Sequence, residues 1–221
     1  MATRQGGIAG SFYASNNRNV ENLINFTQIS SGGEASGRIG GIVGYAKRAL
    51  AIYSSVNHGE IKASKDAAYY GADGIIGFNE IGESQIRYCC NRADIYFEKS
   101  KENDNGVGGL TTHHRGGIAG KLGTNITCRL CINGGNVALG NSGVGYGSHA
   151  KLSNIYMLEG TGGTYSATVI SYGNRNNPTS YPALDFKTPI WIVDGKSNTD
   201  NNGMPYLNPK DCYFQFAKYV P

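Results

Sequence analysis

Two cysteines stand three residues apart in the second half of the chain, and this spacing is the first that could support chemistry. The segment Cys128-Arg129-Leu130-Cys131 is a C-x-x-C motif. Such a motif serves thiol–disulfide exchange at the start of a helix, or zinc binding beside a second cysteine pair. The sequence predicts neither context, so we expect a structural role. In an extended strand, residues three apart face opposite sides, and these two thiols would not form a disulfide.

The histidines are the next candidates, because imidazole binds metals and exchanges protons near neutral pH. His113 and His114 are adjacent in a polar, glycine-containing segment, whereas His58 and His149 are isolated. No acidic residue or cysteine stands beside them at the spacing of metal ligands, and adjacent histidines on a strand point to opposite faces. We therefore expect a solvated loop, with no metal site and no cofactor.

A pair of carboxylates would indicate a polysaccharide hydrolase or lyase. A glycosidase needs two carboxyl groups facing each other about 5 to 10 Å apart. The acids near repeated positions or in the C-terminal part are Glu60, Asp94, Glu98, Asp185 and Asp194, and the sequence pairs none of them. Phosphate-binding loops and Gly-x-Ser-x-Gly elbows do not occur in the sequence. We predict that the protein is not an enzyme, with no catalytic residue; a polysaccharide-degrading β-helix enzyme is the last alternative.

A repeated glycine motif defines the elements that must position these side chains. It reads Gly-Gly-Ile-x-Gly, with Asp73 at the first position of the third copy, and its isoleucine recurs at Ile8, Ile42, Ile75 and Ile118. The intervals are 34, 33 and 43 residues. Self-similarity of this length is typical of stacked repeats, in which equivalent residues lie about 4.8 Å apart. A β-sandwich with glycine-rich turns is the alternative.

A second segment follows each glycine motif and aligns on an asparagine, at Asn25, Asn57, Asn91 and Asn133. A fifth, decayed copy places Met157 in this column. Asparagine tolerates the left-handed backbone conformation, so we expect this column at a corner of each repeat. Cys89 and Cys131 share another column, two positions before the asparagine, which allows either stacked buried thiols or a disulfide. Two more columns match, five positions before the asparagine (Val20, Ile52, Ile86, Cys128) and four after it (Ile29, Ile61, Ile95, Val137).

Composition agrees with an all-β fold, specifically a β-solenoid of four to five repeats with an irregular C-terminal segment. The chain of 221 residues has 33 glycines, 15 tyrosines and only 16% charged residues. No window shows a helical apolar period. The net charge of +4 is scattered, which argues against nucleic acid as a partner. No stretch of 18 apolar residues predicts a membrane span.

The repeats resemble the GLUG-motif repeats of bacterial cell surfaces. The best copy couples Gly74-Ile75-Ile76-Gly77 to Ile86-Arg87-Tyr88-Cys89-Cys90-Asn91-Arg92-Ala93-Asp94-Ile95, and the segment from Leu184 through Trp191 to Asn202-Gly203-Met204-Pro205-Tyr206-Leu207 is similar to the one that often closes such arrays. The resemblance implies a β-solenoid-like scaffold in exported or surface-attached proteins, without established catalytic residues. An insertion around residues 103–115 departs from the pattern.

We divide the chain into repeats over residues 1–170 and a capping or docking segment over residues 171–221. In the second part, residues 171–182 resemble a connector, and Trp191, Pro205, Tyr206 and Phe214 are the docking candidates. The first five residues contain no apolar stretch of a signal peptide. An extracellular or cell-surface location therefore implies a mature form, a fragment or a component of a particle.

The expected function is structural or adhesive. We predict a subunit that assembles through the ends of the repeat stack into a filament or particle, because an open end exposes unpaired strands. The alternative is a carbohydrate-binding or adhesin module of a larger exported protein, with cell-surface glycans as partners. Tyrosines such as Tyr13, Tyr45 and Tyr53 could stack on sugars or pack at the edge of the core.

Overall fold

The computed structural model describes residues 4–13, 18–30, 38–63, 72–97, 115–138, 143–146, 150–163, 167–184, 186, 191–192 and 205–207. These residues form an all-β fold built mainly of parallel sheets. The insertion expected around residues 103–115 lies outside the described residues except for Arg115.

The first three repeats contribute five short strands each, since a turn interrupts the chain every few residues. The first repeat has β1 (Arg4–Gly6), β2 (Ala9–Phe12), β3 (Arg18–Glu21), β4 (Ile24–Asn25) and β5 (Ile29–Ser30). The second has β6 (Arg38–Gly40), β7 (Val43–Ala46), β8 (Leu50–Tyr53), β9 (Val56–Asn57) and β10 (Ile61–Ala63). The third has β11 (Ala72–Asp73), β12 (Ile76–Asn79), β13 (Gln85–Arg87), β14 (Cys90–Asn91) and β15 (Ile95–Phe97).

Later repeats have fewer and longer strands. The fourth repeat has β16 (Arg115–Gly116), β17 (Ala119–Leu122) and β18 (Thr127–Asn133), and the fifth has β19 (Val144–Tyr146) and β20 (Lys151–Leu158). The chain continues with β21 (Thr168–Ile170), the 3-10 helices Tyr172–Asn174 and Pro178–Ser180, and the antiparallel pair β22 (Trp191–Ile192) and β23 (Tyr206–Leu207).

Equivalent strands of successive repeats pair in parallel and build four sheets. Three of them have the orders β1-β6-β11-β16, β2-β7-β12-β17-β19 and β5-β10-β15. In the largest sheet, the row β3-β8-β13 and the row β4-β9-β14 both pair with the long strand β18. On its other side β18 pairs with β20, and β20 pairs with β21. Each sheet therefore runs across the repeats, so that one residue of every repeat contributes to each column of side chains.

The strand register pairs the same residues that the sequence alignment predicted. Asn25 pairs with Asn57, Asn57 with Asn91, Asn91 with Asn133, and Asn133 with Met157. The column of Ile29, Ile61 and Ile95 also pairs, and an isolated bridge joins Ile95 to Val137. The side chains that share a sequence column thus share a position in the fold.

The core is divided between the inside of the repeats and one outer face. The main cluster holds Ile42, Ile75, Ile118 and their neighbours on the large sheet, and a smaller one surrounds Ile39, Ile61 and Ile95. These branched side chains are buried in successive layers, and burial of such a side chain stabilises by about 1.5–3 kcal/mol. A third cluster covers the outer face around Cys90, Ile132 and Tyr181.

The asparagine column lies at a corner, as the sequence predicted: β4, β9 and β14 each end at the ladder asparagine, and the next strand belongs to the sheet β5-β10-β15. The left-handed conformation is not found at these asparagines but three residues earlier, within the large sheet, where the backbone φ is positive in five successive repeats, at Asn22, Ser54, Tyr88, Leu130 and Asn154. The ladder asparagines are absent from the described residues with positive φ. Asparagine tolerates this conformation, but the column shows that serine, tyrosine and leucine adopt it here when the surrounding strands impose it.

Residues 171–184, which include the predicted connector over residues 171–182, are mostly exposed or half-buried, but Tyr181 and Leu184 are buried against the repeats. Tyr181 is fully buried, with its ring 5.2 Å from that of Tyr156 in an edge-to-face contact. Its hydroxyl donates to the Arg175 carbonyl over 2.8 Å. Leu184 and Phe186 extend the same cluster, so these three side chains pack against the part of the outer face around Cys90 and Ile132.

Candidate functional site

The asparagine column forms a continuous ladder of side-chain hydrogen bonds. The Nδ2 of Asn25 donates to the Oδ1 of Asn57 over 2.8 Å, Asn57 donates to Asn91 over 2.9 Å, and Asn91 donates to Asn133 over 2.8 Å. Each amide also donates to the carbonyl two residues further along its own chain, as Asn57 does to Gly59 over 3.0 Å. These contacts satisfy amides that are buried almost completely.

The glycine motif leaves the space that the ladder occupies. A Cβ on Gly7, Gly41 or Gly74 would lie well under 3.0 Å from the Cγ of the ladder asparagine in the same repeat. It would also overlap the carbonyl oxygen of the matching glycine in the next repeat. Glycine is therefore required here by close approach of backbone and amide, which links the two motifs recognised in the sequence.

The isoleucine column behaves differently at its first member. Ile42, Ile75 and Ile118 are fully buried, whereas Ile8 is 48% exposed. The Ile8 amide donates to the Ile42 carbonyl over 3.2 Å, so Ile8 occupies the expected place in the ladder. Its exposure arises because β1–β5 each form the edge of their sheet among the described residues.

Cys89 and Cys131 are buried thiols that are not joined in a disulfide, so the disulfide alternative for this pair does not apply. Burial raises the pKa of both thiols well above its usual value. The Sγ atoms of Cys89 and Cys131 lie 3.3 Å from the carbonyl oxygens of Arg87 and Arg129. A protonated thiol in an apolar core is a poor nucleophile, and these contacts provide no redox chemistry.

The expectation that Cys128 and Cys131 face opposite sides is wrong. Both are fully buried in the main core cluster. The reason is the positive φ of 57° at Leu130, which turns the strand between them and brings the second thiol back to the inside. Strand alternation does not apply across a left-handed residue.

His58 is the histidine whose surroundings the structure describes, whereas His113, His114 and His149 lie outside the described residues. Its ring stacks on Phe26 with centroids 4.7 Å apart, and its Nε2 lies 3.4 Å from the Nη1 of Arg92. Burial, and then the charge of Arg92, lower the pKa of His58 to about 3. Within the described part of the chain, no three His, Cys, Asp or Glu side chains form a group that could hold a metal.

The carboxylates are dispersed rather than paired across a cleft. Glu60 forms an ion pair with Lys62 at 2.9 Å. The Asp94 carboxylate accepts hydrogen bonds from the Tyr96 hydroxyl at 2.9 Å and from the backbone N–H of Asn136 at 2.7 Å. These contacts assign both acids to the surface network of the sheet β5-β10-β15. Glu98, Asp185 and Asp194 lie outside the described residues.

Asp73 is a buried carboxylate whose importance the sequence analysis missed. It stands in the column of Gly6, Gly40 and Gly116, and its Oδ1 accepts a hydrogen bond of 2.5 Å from the Gly116 amide. A Cβ on Gly120 would overlap its carboxyl group, so that glycine provides the space for Asp73. The sequence did contain a signal for this site, because Asp73 replaces the first glycine of the repeated motif in its third copy.

Tyr45 and Phe78, which are paired in the register of β7 and β12, pack against an arginine and do not expose their ring faces to solvent. Tyr45 and Phe78 are buried and stacked, with centroids 5.8 Å apart. The guanidinium of Arg38 lies 4.2 Å from the centroid of Tyr45 and 4.5 Å from that of Phe78. These rings belong to the edge of the core, whereas Tyr13 is more than half exposed.

The edge of the first repeat contains a shallow, open groove. The groove has a volume of about 420 Å³ and is lined by residues 4–7, Gly10 and residues 27–30. The Oε1 of Gln5 is buried there and has no hydrogen-bond partner among the described residues. Gln5 occupies the column in which later repeats have Ile39 and Ala72, so the edge of the core is polar in the first repeat.

The structure describes three of the four docking candidates, Trp191, Pro205 and Tyr206. Trp191 lies in β22, which pairs with β23 through the registers Trp191–Leu207 and Ile192–Tyr206. Pro205 is buried, and Phe214 lies outside the described residues. Their capping role therefore stays a prediction.

A second feature missed by sequence reasoning is the pairing of two arginines on the outer face of the large sheet. Arg87 of β13 stands opposite Arg129 of β18 in the parallel register. The signal was present in the alignment, because both residues stand four positions before a ladder asparagine.

Comparison of the chain with protein-family models, with curated proteins and with solved structures finds no match in any of the three. The resemblance to GLUG-motif repeats therefore rests on the sequence motifs alone. None of the described helices is long and apolar enough to cross a membrane.

Proposed function

We propose that the chain forms a β-solenoid of four to five repeats and acts as a non-enzymatic structural protein that associates with itself through the edge of its first repeat. The observation that carries the proposal is the position of β1–β5, since all five strands of this repeat are edge strands of their sheets among the residues that the structure describes. An edge strand presents unpaired N–H and C=O groups to another chain.

Apolar exposure at the same edge supports the proposal. Ile8 is 48% exposed and Phe26 is 59% exposed, whereas Ile42 and Ile75 in the column of Ile8 are fully buried. A further layer of strands over the first repeat would cover these side chains and satisfy the edge, as strand addition does in many complexes. A second copy of this chain is the occupant we propose.

The proposed location is extracellular or at a cell surface, and it rests on the resemblance to surface repeats. The non-enzymatic part of the proposal is supported by the engaged carboxylates Glu60 and Asp94 and by the inert buried thiols. A polysaccharide-degrading activity that one Asp or Glu substitution abolishes would overturn it.

Light scattering coupled to size-exclusion chromatography tests self-association over a wide range of protein concentrations, with electron microscopy of the largest species. We expect a mass that rises with concentration. The double variant Ile8→Lys/Ser11→Lys adds charge to the edge, as natural edge strands do to prevent pairing, and should remain monomeric.

The chain offers a matched control in Ile81, which is 50% exposed and lies between β12 and β13. Ile81→Lys should associate like the original protein, and circular dichroism should show that all variants are folded. A protein that is monomeric at every concentration, or an Ile81→Lys variant that dissociates as the edge variant does, contradicts the proposal.

A further inference from the structure

Arg87 and Arg129 form a pair of like charges on the outward face of the large sheet. They are directly opposite in the parallel register of β13 and β18, and the preceding residues, Ile86 and Cys128, are fully buried. The alternation of a strand therefore turns both arginines outward. Neighbouring strands lie about 4.8 Å apart, so the two side chains leave the sheet at nearly the same place. Like charges directly opposite each other destabilise a sheet.

No described residue compensates the charges of this pair. Neither guanidinium has a hydrogen-bond or ion-pair partner among the described residues, and the Nε atom of each is buried without one. Glu21 belongs to the same column, but Tyr53 separates it from Arg87. The acids Glu60 and Asp94 on the neighbouring sheet are, by contrast, fully engaged. Two arginines that repel each other and leave N–H groups unpaired cost stability, which a bound anion would restore.

The residues around the pair are polar and arranged in rows. The neighbouring outward column contains Gln85, Thr127 and Lys151, in register with one another. The Tyr53 hydroxyl donates to the Gln85 Oε1 over 3.0 Å, which fixes the amide against the sheet. The face thus combines three cations with neutral donors and acceptors and follows successive strands of one sheet.

We propose that this face binds a linear acidic polysaccharide, whose chain crosses the strands and places carboxylates on Arg87 and Arg129. The planar guanidinium matches a carboxylate with two parallel hydrogen bonds. The spacing between strands is close to the length of one pyranose unit, so each successive sugar of the chain would lie over the next strand of the sheet. The amide and hydroxyl groups of Gln85 and Thr127 match sugar hydroxyls.

Charge density favours a polysaccharide over nucleic acid as the occupant. A nucleic-acid surface combines a denser basic patch with aromatic platforms for the bases. This face has three cations, and the stacked rings Tyr45 and Phe78 belong to a different sheet, where they are buried. The inference does not depend on self-association, because the face lies on the side of the repeats and not at the edge of the first one.

Isothermal titration calorimetry at physiological ionic strength tests the inference with polygalacturonate, alginate and hyaluronate as acidic probes. Dextran serves as the neutral polysaccharide and single-stranded polythymidylate as the nucleic acid. We expect at least one acidic polysaccharide to bind and dextran not to bind. Arg87→Gln and Arg129→Gln should each weaken binding by about tenfold, because each removes a charge-assisted contact.

Arg48→Gln is the matched control, since it removes the same charge from an exposed position outside the face. It should bind like the original protein, and so should Ile8→Lys/Ser11→Lys, which separates this inference from self-association. Without ligand, Arg87→Gln and Arg129→Gln should be at least as resistant to heat as the original protein, which a purely structural role would not allow.

Four results would overturn the inference. They are the failure of all three acidic polysaccharides to bind, equal binding of dextran, tighter binding of polythymidylate, and an equal loss of affinity in Arg48→Gln.

Discussion

The side chain of Asn57 fills the space that a side chain on Gly41 would need: a Cβ on Gly41 would lie well under 3.0 Å from the Cγ of Asn57. The two residues stand sixteen positions apart in the sequence, in separate motifs. Their contact recurs in the first and third repeats as Gly7 with Asn25 and Gly74 with Asn91. The asparagine ladder and the glycine motif are therefore one structural device, and a change in either should disturb both.

Gly41→Ala should destabilise the protein strongly. The new methyl group would overlap Asn57 and also the backbone carbonyl of Gly74, and a backbone atom cannot move aside cheaply. We expect a loss of about 3 kcal/mol or more in the free energy of unfolding, measured by urea denaturation.

The control for this substitution is Gly173→Ala, because a Cβ on Gly173 meets nothing within 4 Å. It should change the free energy of unfolding by less than about 0.5 kcal/mol. Gly41→Ala/Asn57→Ala should not regain the stability, since the clash with Gly74 remains. Recovery in the double variant would show that the amide alone creates the constraint.

Asn91→Asp should break the ladder at its centre. Asn91 donates to the Oδ1 of Asn133 and to the carbonyl of Ala93, both over 2.8 Å. A carboxylate has no donor, so it would face two oxygen atoms in a buried site. We expect a loss of about 3 kcal/mol or more in unfolding free energy.

Asn19→Asp provides the comparison, because Asn19 is exposed on β3. It should leave the urea midpoint nearly unchanged. Equal midpoints for the two aspartate variants would mean that the ladder contributes nothing to stability.

His58 should make the protein less stable in mild acid. Burial and the Arg92 charge lower the pKa of His58 to about 3, from 6.5 for an unperturbed histidine. Between these values the unfolded chain binds a proton that the folded one does not. The stabilisation that comes from keeping His58 neutral is therefore fully present above about pH 6.5. Below that pH the free energy of unfolding falls towards pH 3, by up to about 1.4 kcal/mol per pH unit.

His58→Phe isolates this effect, because it keeps an aromatic ring against Phe26 and removes the titration. Urea denaturation from pH 4.5 to 7 should give a shallower pH dependence for the variant. The same slope in both proteins would indicate that His58 titrates normally in the folded state.

The thiols of Cys89, Cys90, Cys128 and Cys131 should be unreactive in the folded protein. All four are fully buried, and burial raises the pKa of Cys89 and Cys131, so thiolate is scarce. Mass spectrometry after treatment with a maleimide should find these four positions unlabelled, and labelled once urea has unfolded the chain. Rapid labelling of Cys89 or Cys131 without urea would contradict the buried cluster.

The repeat register could be predicted from the sequence because it depends on matched columns. Asn25, Asn57, Asn91 and Asn133 align in the sequence and pair in the structure, and even Met157 takes the predicted place. Identical side chains in a parallel stack become neighbours, so a sequence column is also a spatial column. The parallel all-β character follows from the same feature.

The left-handed residues within the large sheet and the packing on its outer face were harder to predict, because they depend on tertiary contacts. The positive φ at Leu130 contradicts the preference of leucine, and it reverses the expected orientation of Cys131. Tyr181 lies in a segment rich in Asn, Ser and Pro, yet it is fully buried against Tyr156. Neither outcome has a local signal, since both arise from neighbours distant in the sequence.

The hydrogen bonds of the asparagine ladder all run the same way, with the amide nitrogen of each earlier repeat donating to the oxygen of the later one. The ladder thus has polarity, and at the first repeat it ends in the Oδ1 of Asn25. A two-fold contact between two first repeats would place one such oxygen against the other. A copy that approaches with donor groups instead continues the pattern. For the self-association that we propose, the ladder therefore predicts addition of copies in a single direction and not a symmetric pair.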